Sequence, residues 1–182
     1  MKYRHITFPQ EEKLTGKQRV WQSIYGFVST VVTAVLAVAL IITVFFKVAT
    51  VDGSSMNPTL ENGDRLLVSC WSTACERGDV VIIGYPSETT LVKRVIALAG
   101  DTIDIDFDSG EVYLNGVLLE EPYIKEATHL WYPDGPDFPL TIPAGYVFVM
   151  GDNRNNSLDS RSGQVGLIPV GSILGISEAK LS

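Results

Sequence analysis

From Val20 to Phe46 the chain runs for 27 positions without a charged side chain. Coiled as a helix, that stretch is about 40 Å long, whereas a bilayer core needs only about 20 residues or 30 Å. The pattern predicts one membrane-spanning helix over residues 20–46, tilted or overhanging at one end. Its centre, Ser29 to Ile42, is rich in β-branched residues. These are weak helix formers in water, but hydrocarbon forces backbone hydrogen bonds to close within the segment. A soluble core helix of this length would carry charge. A cleaved leader has an apolar region of only about 7–15 residues before a small-residue cleavage site. The run reads as an uncleaved anchor, with residues 1–19 before it and a separate domain over 47–182.

Beyond the anchor the hydrophobic period shortens. Asp64–Ser69, Asp79–Ile83 and Leu91–Leu98 are β-rich runs bounded by glycines. Ile103, Ile105 and Phe107 alternate with Asp104, Asp106 and Asp108, the period of a half-buried strand. Glu111–Leu119 reads as a hairpin turning at Asn115-Gly116, a pair suited to a type I′ turn. Residues 127–145 hold four prolines and read as an extended loop, while Tyr146–Met150 and Ile173–Ile176 look like closing strands. The fold class is mostly β, a compact domain behind one N-terminal transmembrane helix.

Charge orients this arrangement. The first nineteen residues carry Lys2, Arg4, Lys13, Lys17 and Arg19 against Glu11 and Glu12, a net of +3 in a chain of net −7. The remainder therefore sums to −10. Positive flanks stay cytoplasmic, so the acidic domain is expected outside. Nucleic acid is excluded as a partner, since it selects a basic surface. Cys70 and Cys75 would then lie in an oxidising compartment, where a bridge and two free thiols are both admissible. The Asp104, Asp106 and Asp108 ladder is the wet face of a strand and matches no calcium loop; no metal is expected.

Three segments carry candidate chemistry. In Val51-Asp52-Gly53-Ser54-Ser55-Met56-Asn57-Pro58-Thr59-Leu60, Gly53 permits an unusual backbone and Pro58 stiffens the exit, so that a hydroxyl could be held out rigidly. On the strand around Lys93, alternation places the lysine with Leu91, Val95 and Ala97 and turns Arg94 the other way. An amine among apolar neighbours is costly to charge, and that cost lowers its pKa toward the range of a usable base. The blander alternative is a lysine on a solvated strand face. Gly151-Asp152-Asn153-Arg154-Asn155-Asn156-Ser157-Leu158-Asp159-Ser160-Arg161 gathers the mixed polar side chains that a web of fixed hydrogen bonds needs, or else is a solvated loop.

Taken in order behind an anchor, Ser55-Met56-Asn57-Pro58-Thr59-Leu60, Arg77-Gly78-Asp79-Val80-Val81, Lys93-Arg94-Val95-Ile96 and the 151–161 string resemble the bacterial type I signal peptidases. The short outer domain is similar to the Gram-positive form. The resemblance implies a β-rich catalytic fold and a membrane-bound serine endopeptidase that removes signal peptides from exported preproteins. By motif position Ser55 is the nucleophile and Lys93 its general base, with Ser157 hydrogen-bonded to the lysine amine. Arg94 with Asp152, and Asp159 with Arg161, become supporting ion pairs. The partners implied are preproteins and the lipid bilayer, with no cofactor.

A Ser-Lys dyad needs no histidine; His5 lies before the anchor and His129 in the Pro-rich loop. The backbone N–H of Ser55 is the natural oxyanion donor. Ser55 is eight residues past Lys47, within about 27 Å of it even when extended, so the site is expected near the membrane surface. Small residues at positions −1 and −3 of a signal peptide imply two shallow apolar pockets. An extended substrate could add as a strand to the edge of the site.

The chain departs from the family pattern in two places. Some members carry a serine where Gly53 stands, so the second oxyanion donor is backbone or absent. Ala97-Leu98-Ala99-Gly100-Asp101 replaces the usual Gly and Pro-Gly-Asp continuation. Two other readings share the sequence: a specialised peptidase trimming surface or pilus subunits, and a tethered β domain without activity. A self-cleaving repressor is disfavoured by the anchor and by the lack of a DNA-binding element.

Overall fold

The computed structural model describes residues 15–84 and 90–181. Lys2, Arg4, His5, Glu11, Glu12 and Lys13 of the expected cytoplasmic flank lie outside the described residues. The chain divides into two compact units between Ile42 and Thr43.

The first unit is dominated by helix α1, Gly16–Phe45, whose first turns include Lys17 and Arg19. Thr15 precedes it with one half of a capping box: the Gln18 side-chain oxygen accepts from both the backbone N–H (2.8 Å) and the hydroxyl (2.9 Å) of Thr15. Further along, the Thr30 and Thr33 hydroxyls donate to the carbonyls of Gly26 and Ser29. Hydroxyls satisfied in this way are tolerable in an apolar segment. Among the described residues this is the helix long and apolar enough to cross a membrane.

The second unit is β-rich. Its strands are β1 Phe46–Thr50, β2 Arg65–Ser69, β3 Val80–Gly84, β4 Thr90–Ala97, β5 Thr102–Asp106, β6 Glu111–Leu114, β7 Val117–Leu118, β8 Leu140–Thr141, β9 Tyr146–Met150, β10 Ile168–Pro169 and β11 Ile173–Lys180. An antiparallel seven-stranded sheet runs β1-β2-β11-β3-β4-β9-β10, and a four-stranded sheet runs β7-β6-β5-β8. The mostly β architecture behind an apolar helix is the one the sequence predicts. At the predicted hairpin, Asn115 and Gly116 both take positive φ, 54° and 78°, the signature of a type I′ turn.

Alternation sorts the core. Val81, Ile83, Val95 and Val149 form one cluster, while Leu66, Val68 and Ile82 join Val51, Met56 and Leu60 in another. A third cluster combines Ile103, Ile105, Val112 and Leu114 of the small sheet with Ile96, Ala97, Phe148 and Met150 of the large one. Ala97 thus parts company with Lys93, Leu91 and Val95, against the simple alternation expected. The β4–β9 register slips between Val95 and Ala97, and a bulge of this kind re-aims the side chains beyond it. Cys70 and Cys75 are free thiols, packed against different clusters. Asp104, Asp106 and Asp108 are exposed, and Asp106 accepts from the amides of Asp108 and Ser109, tying down the turn that follows.

Candidate active site

β4 and β9 run side by side only as far as Arg94 opposite Met150. There the chain leaves β9 at Gly151 and enters the polar loop 151–163, which folds against the loop bearing Ser55. Four contacts fasten the two loops. The Asn153 N–H donates to the Ser55 carbonyl at 3.0 Å. The Asn153 side chain donates to the Ser54 carbonyl at 2.9 Å, and that of Asn156 to the Ser54 hydroxyl at 3.0 Å. The Thr59 hydroxyl donates to Asp152. The Ser54–Ser55 segment is therefore held by both of its backbone carbonyls.

Lys93 reaches this serine from β4. Its Nζ is 2.8 Å from Ser55 Oγ, and the lysine is 3% exposed. Burial pushes its pKa below the ordinary value, and Arg161 pushes the same way, while Asp159 and Asp152 pull it back up. A solvated strand face is thus ruled out for this lysine. Arg94, expected to point the other way, is also buried. Burial opposes its charge, but two bonds to Asp152, at 2.8 and 2.6 Å, outweigh that and hold its pKa above the ordinary value.

The second expected ion pair is also made. Arg161 Nε and Nη2 donate to the two oxygens of Asp159, each at 2.9 Å, and neither side chain is exposed. Asp159 in turn accepts from the Gly151 N–H at 3.0 Å. The arrangement is a fork-to-fork pair whose remaining donors also find partners, as a buried ion pair requires.

Ser157 differs from the expectation. Its Oγ is buried and bonded to no atom among the described residues, so the bond to the Lys93 amine is not formed here. The hydroxyl lies against Gly151, where a methyl group would overlap both Ser157 Oγ and the Ser55 carbonyl oxygen. It therefore lies beside the loop bearing Ser55, while the lysine amine is engaged by Ser55 Oγ. Gly53 takes φ of 96° and its N–H donates to the Asn62 side chain at 2.8 Å. That amide is therefore already engaged.

Residues without an assigned role in the sequence complete the surroundings. Segment 120–135 lies along loop 151–163. Glu121 pairs with the fully buried Arg154, Tyr123 stacks on the Arg94 guanidinium at 4.1 Å, and the Tyr132 hydroxyl donates to the Ser157 carbonyl at 2.8 Å. The sequence signal for these residues is faint: two tyrosines in a segment otherwise rich in turn residues. Among the described residues no group of His, Cys, Asp and Glu is arranged to hold a metal ion.

Residues 24–181 match the family described as signal peptidase, peptidase S26. A signal peptidase I of Bacillus licheniformis is 40% identical over 179 residues, covering 92% of each chain. Signal peptidase I T of Bacillus subtilis (strain 168) is 43% identical over 157 residues, covering 81% of this chain and 80% of its own. A solved signal peptidase I from Enterococcus faecalis V583 is 30% identical, with 56% of this chain and 95% of that one covered at a TM-score of 0.44.

Proposed function

Since the chain belongs to the signal peptidase family, peptidase S26, and is a signal peptidase enzyme, we propose that it cuts signal peptides from membrane-held preproteins with a Ser55–Lys93 dyad. The observation that carries this reading is the 2.8 Å contact between Ser55 Oγ and an almost fully buried lysine amine. A buried amine of lowered pKa is neutral at a pH where an exposed one is charged, and only the neutral form can accept a proton.

The reaction follows from that contact. Lys93 Nζ takes the Ser55 proton as Oγ attacks the scissile carbonyl. The Ser55 N–H faces the charge that develops on the carbonyl oxygen. The lysine, now protonated, returns its proton to the leaving amine, and the acyl-enzyme is released by water activated at the same Nζ. Ser157, with a free buried hydroxyl beside this loop, accepts a hydrogen bond from the amine once Ser55 Oγ is acylated. The Arg94–Asp152 and Asp159–Arg161 pairs hold the two loops in register. Substrate adds as an extended strand along Leu91–Lys93, on the side of β4 that β9 leaves at Arg94.

The apolar α1 supports anchoring, with the basic flank inside and the acidic domain outside. The test is processing of a preprotein by isolated membranes carrying the full chain, with the products mapped by mass. Cleavage after a small residue is expected. Ser55→Ala is expected to lower it by about 10⁴-fold or more while leaving the domain folded. Unchanged cleavage by Ser55→Ala, or recovery of the chain in the soluble fraction, would count against the corresponding half of the proposal.

A further inference from the structure

The segment 120–135 is bound along its length to loop 151–163. Asn155 clamps its middle: the side-chain oxygen accepts from the N–H groups of His129 and Leu130, both at 2.9 Å, and the amide donates to the Ala127 carbonyl at 3.0 Å. Arg161 Nη1 donates to the Leu130 carbonyl at 3.2 Å. Two residues further on stands Tyr132, half-buried, with its ring centroid 6.0 Å from the Arg161 guanidinium and its hydroxyl on the Ser157 carbonyl. This one side chain therefore touches two residues of the loop that confronts Lys93.

From this placement we infer that Tyr132 is a positioning residue for Lys93: its hydroxyl fixes the Ser157 backbone and its ring bears on Arg161. The inference rests on the dyad reading above. Ser157 carries a buried hydroxyl with no partner among the described residues, so packing alone sets where it sits. The bond from Tyr132 is then a main constraint on that residue's carbonyl. The charged groups acting on the lysine are Asp159, Arg161 and Asp152, the last paired with Arg94. Tyr132 faces the first two of these, together with Asp134. Burial raises the pKa of its phenol above the ordinary value, so the hydroxyl stays protonated and remains a donor.

If the Ser157 backbone loosens, water gains access beside Lys93. The burial that depresses the lysine pKa weakens, and that pKa rises. The neutral fraction then falls at a given pH.

The experiment compares full-length wild type, Tyr132→Phe and Tyr132→Leu in detergent, measuring kcat and KM on a preprotein across pH, with Tm recorded for each. Tyr132→Phe keeps the ring and removes one oxygen atom. A lost hydrogen bond of this kind is expected to lower kcat about threefold to tenfold near neutral pH. KM should hold, the acid limb should move to higher pH, and the deficit should shrink as pH rises. Tyr132→Leu, which also loses the ring beside Arg161, should move the limb at least as far. A limb at the wild-type position in Tyr132→Phe overturns the inference, whether activity is intact or reduced equally at every pH with a lowered Tm. Lys93→Met, run in parallel, separates the two layers. Cleavage by that variant removes the dyad reading and this inference with it. An inactive Lys93→Met beside an unmoved Tyr132→Phe limb removes the inference alone.

Discussion

At Gly151 the absence of a side chain lets two loops meet. The Ser157 hydroxyl and the Ser55 carbonyl oxygen both crowd the place where a Cβ would stand, and its N–H donates to Asp159. Gly151→Ala would push its new methyl into both oxygens, neither of them at the end of a long flexible side chain. Overpacking of this kind costs about 1–3 kcal/mol, and here the displacement falls on Ser55, the proposed nucleophile. The expected outcome is a modest fall in Tm with a loss of kcat far larger than the stability change explains; a variant of wild-type kcat would contradict this packing. The sequence points to Gly151 only as the first residue of a motif. Lys93 was more legible, because a lysine alternating with Leu91 and Val95 is anomalous on any core-facing strand. The burial of Arg94 was not, since the side chains that cover it, Asp152 and Tyr123, come from segments far along the chain.

At the scale of elements, the Arg94–Asp152 pair joins β4 to the site loop, and Thr59 on the loop bearing Ser55 shares the same carboxylate. Removing one charge from a buried pair leaves the other uncompensated, at a cost of about 3–5 kcal/mol. Asp152→Asn is therefore expected to lower Tm by roughly 10 °C or more for a unit of this size. Asp152 also pulls the Lys93 pKa upward, so its neutralisation should move the acid limb of cleavage to lower pH. A variant with unchanged Tm and limb would show that the pair contributes to neither. Strands with strong alternation, such as β5 and the β6–β7 hairpin, were readable from sequence. β1 was not, because Phe46 continues the apolar run of the anchor and only four residues follow it in the strand. β8 and β10 are two residues each, too short for any periodicity, and β10 takes Pro169 because it is an edge strand. The bulge between Val95 and Ala97 depends on pairing with β9, which no local pattern announces.

For the whole molecule, the sequence separates an apolar basic-flanked segment from an acidic β-rich one; the structure divides into two compact units between Ile42 and Thr43. The charge asymmetry and the span lead to the proposed topology, with the dyad in the acidic unit. The chemical claim on which everything else depends is that Lys93 is a neutral base at working pH. Burial is the largest cause of its lowered pKa; the base form is the unprotonated one, so its population rises with pH through that lowered value. The most direct measurement is kcat/KM for preprotein cleavage as a function of pH, in wild type and in folded Lys93→Met. The account predicts activity that climbs along a single acid limb well below the ordinary lysine value, and none in Lys93→Met at any pH. Cleavage by Lys93→Met at the wild-type rate, or a limb at the value of an exposed lysine, would contradict it.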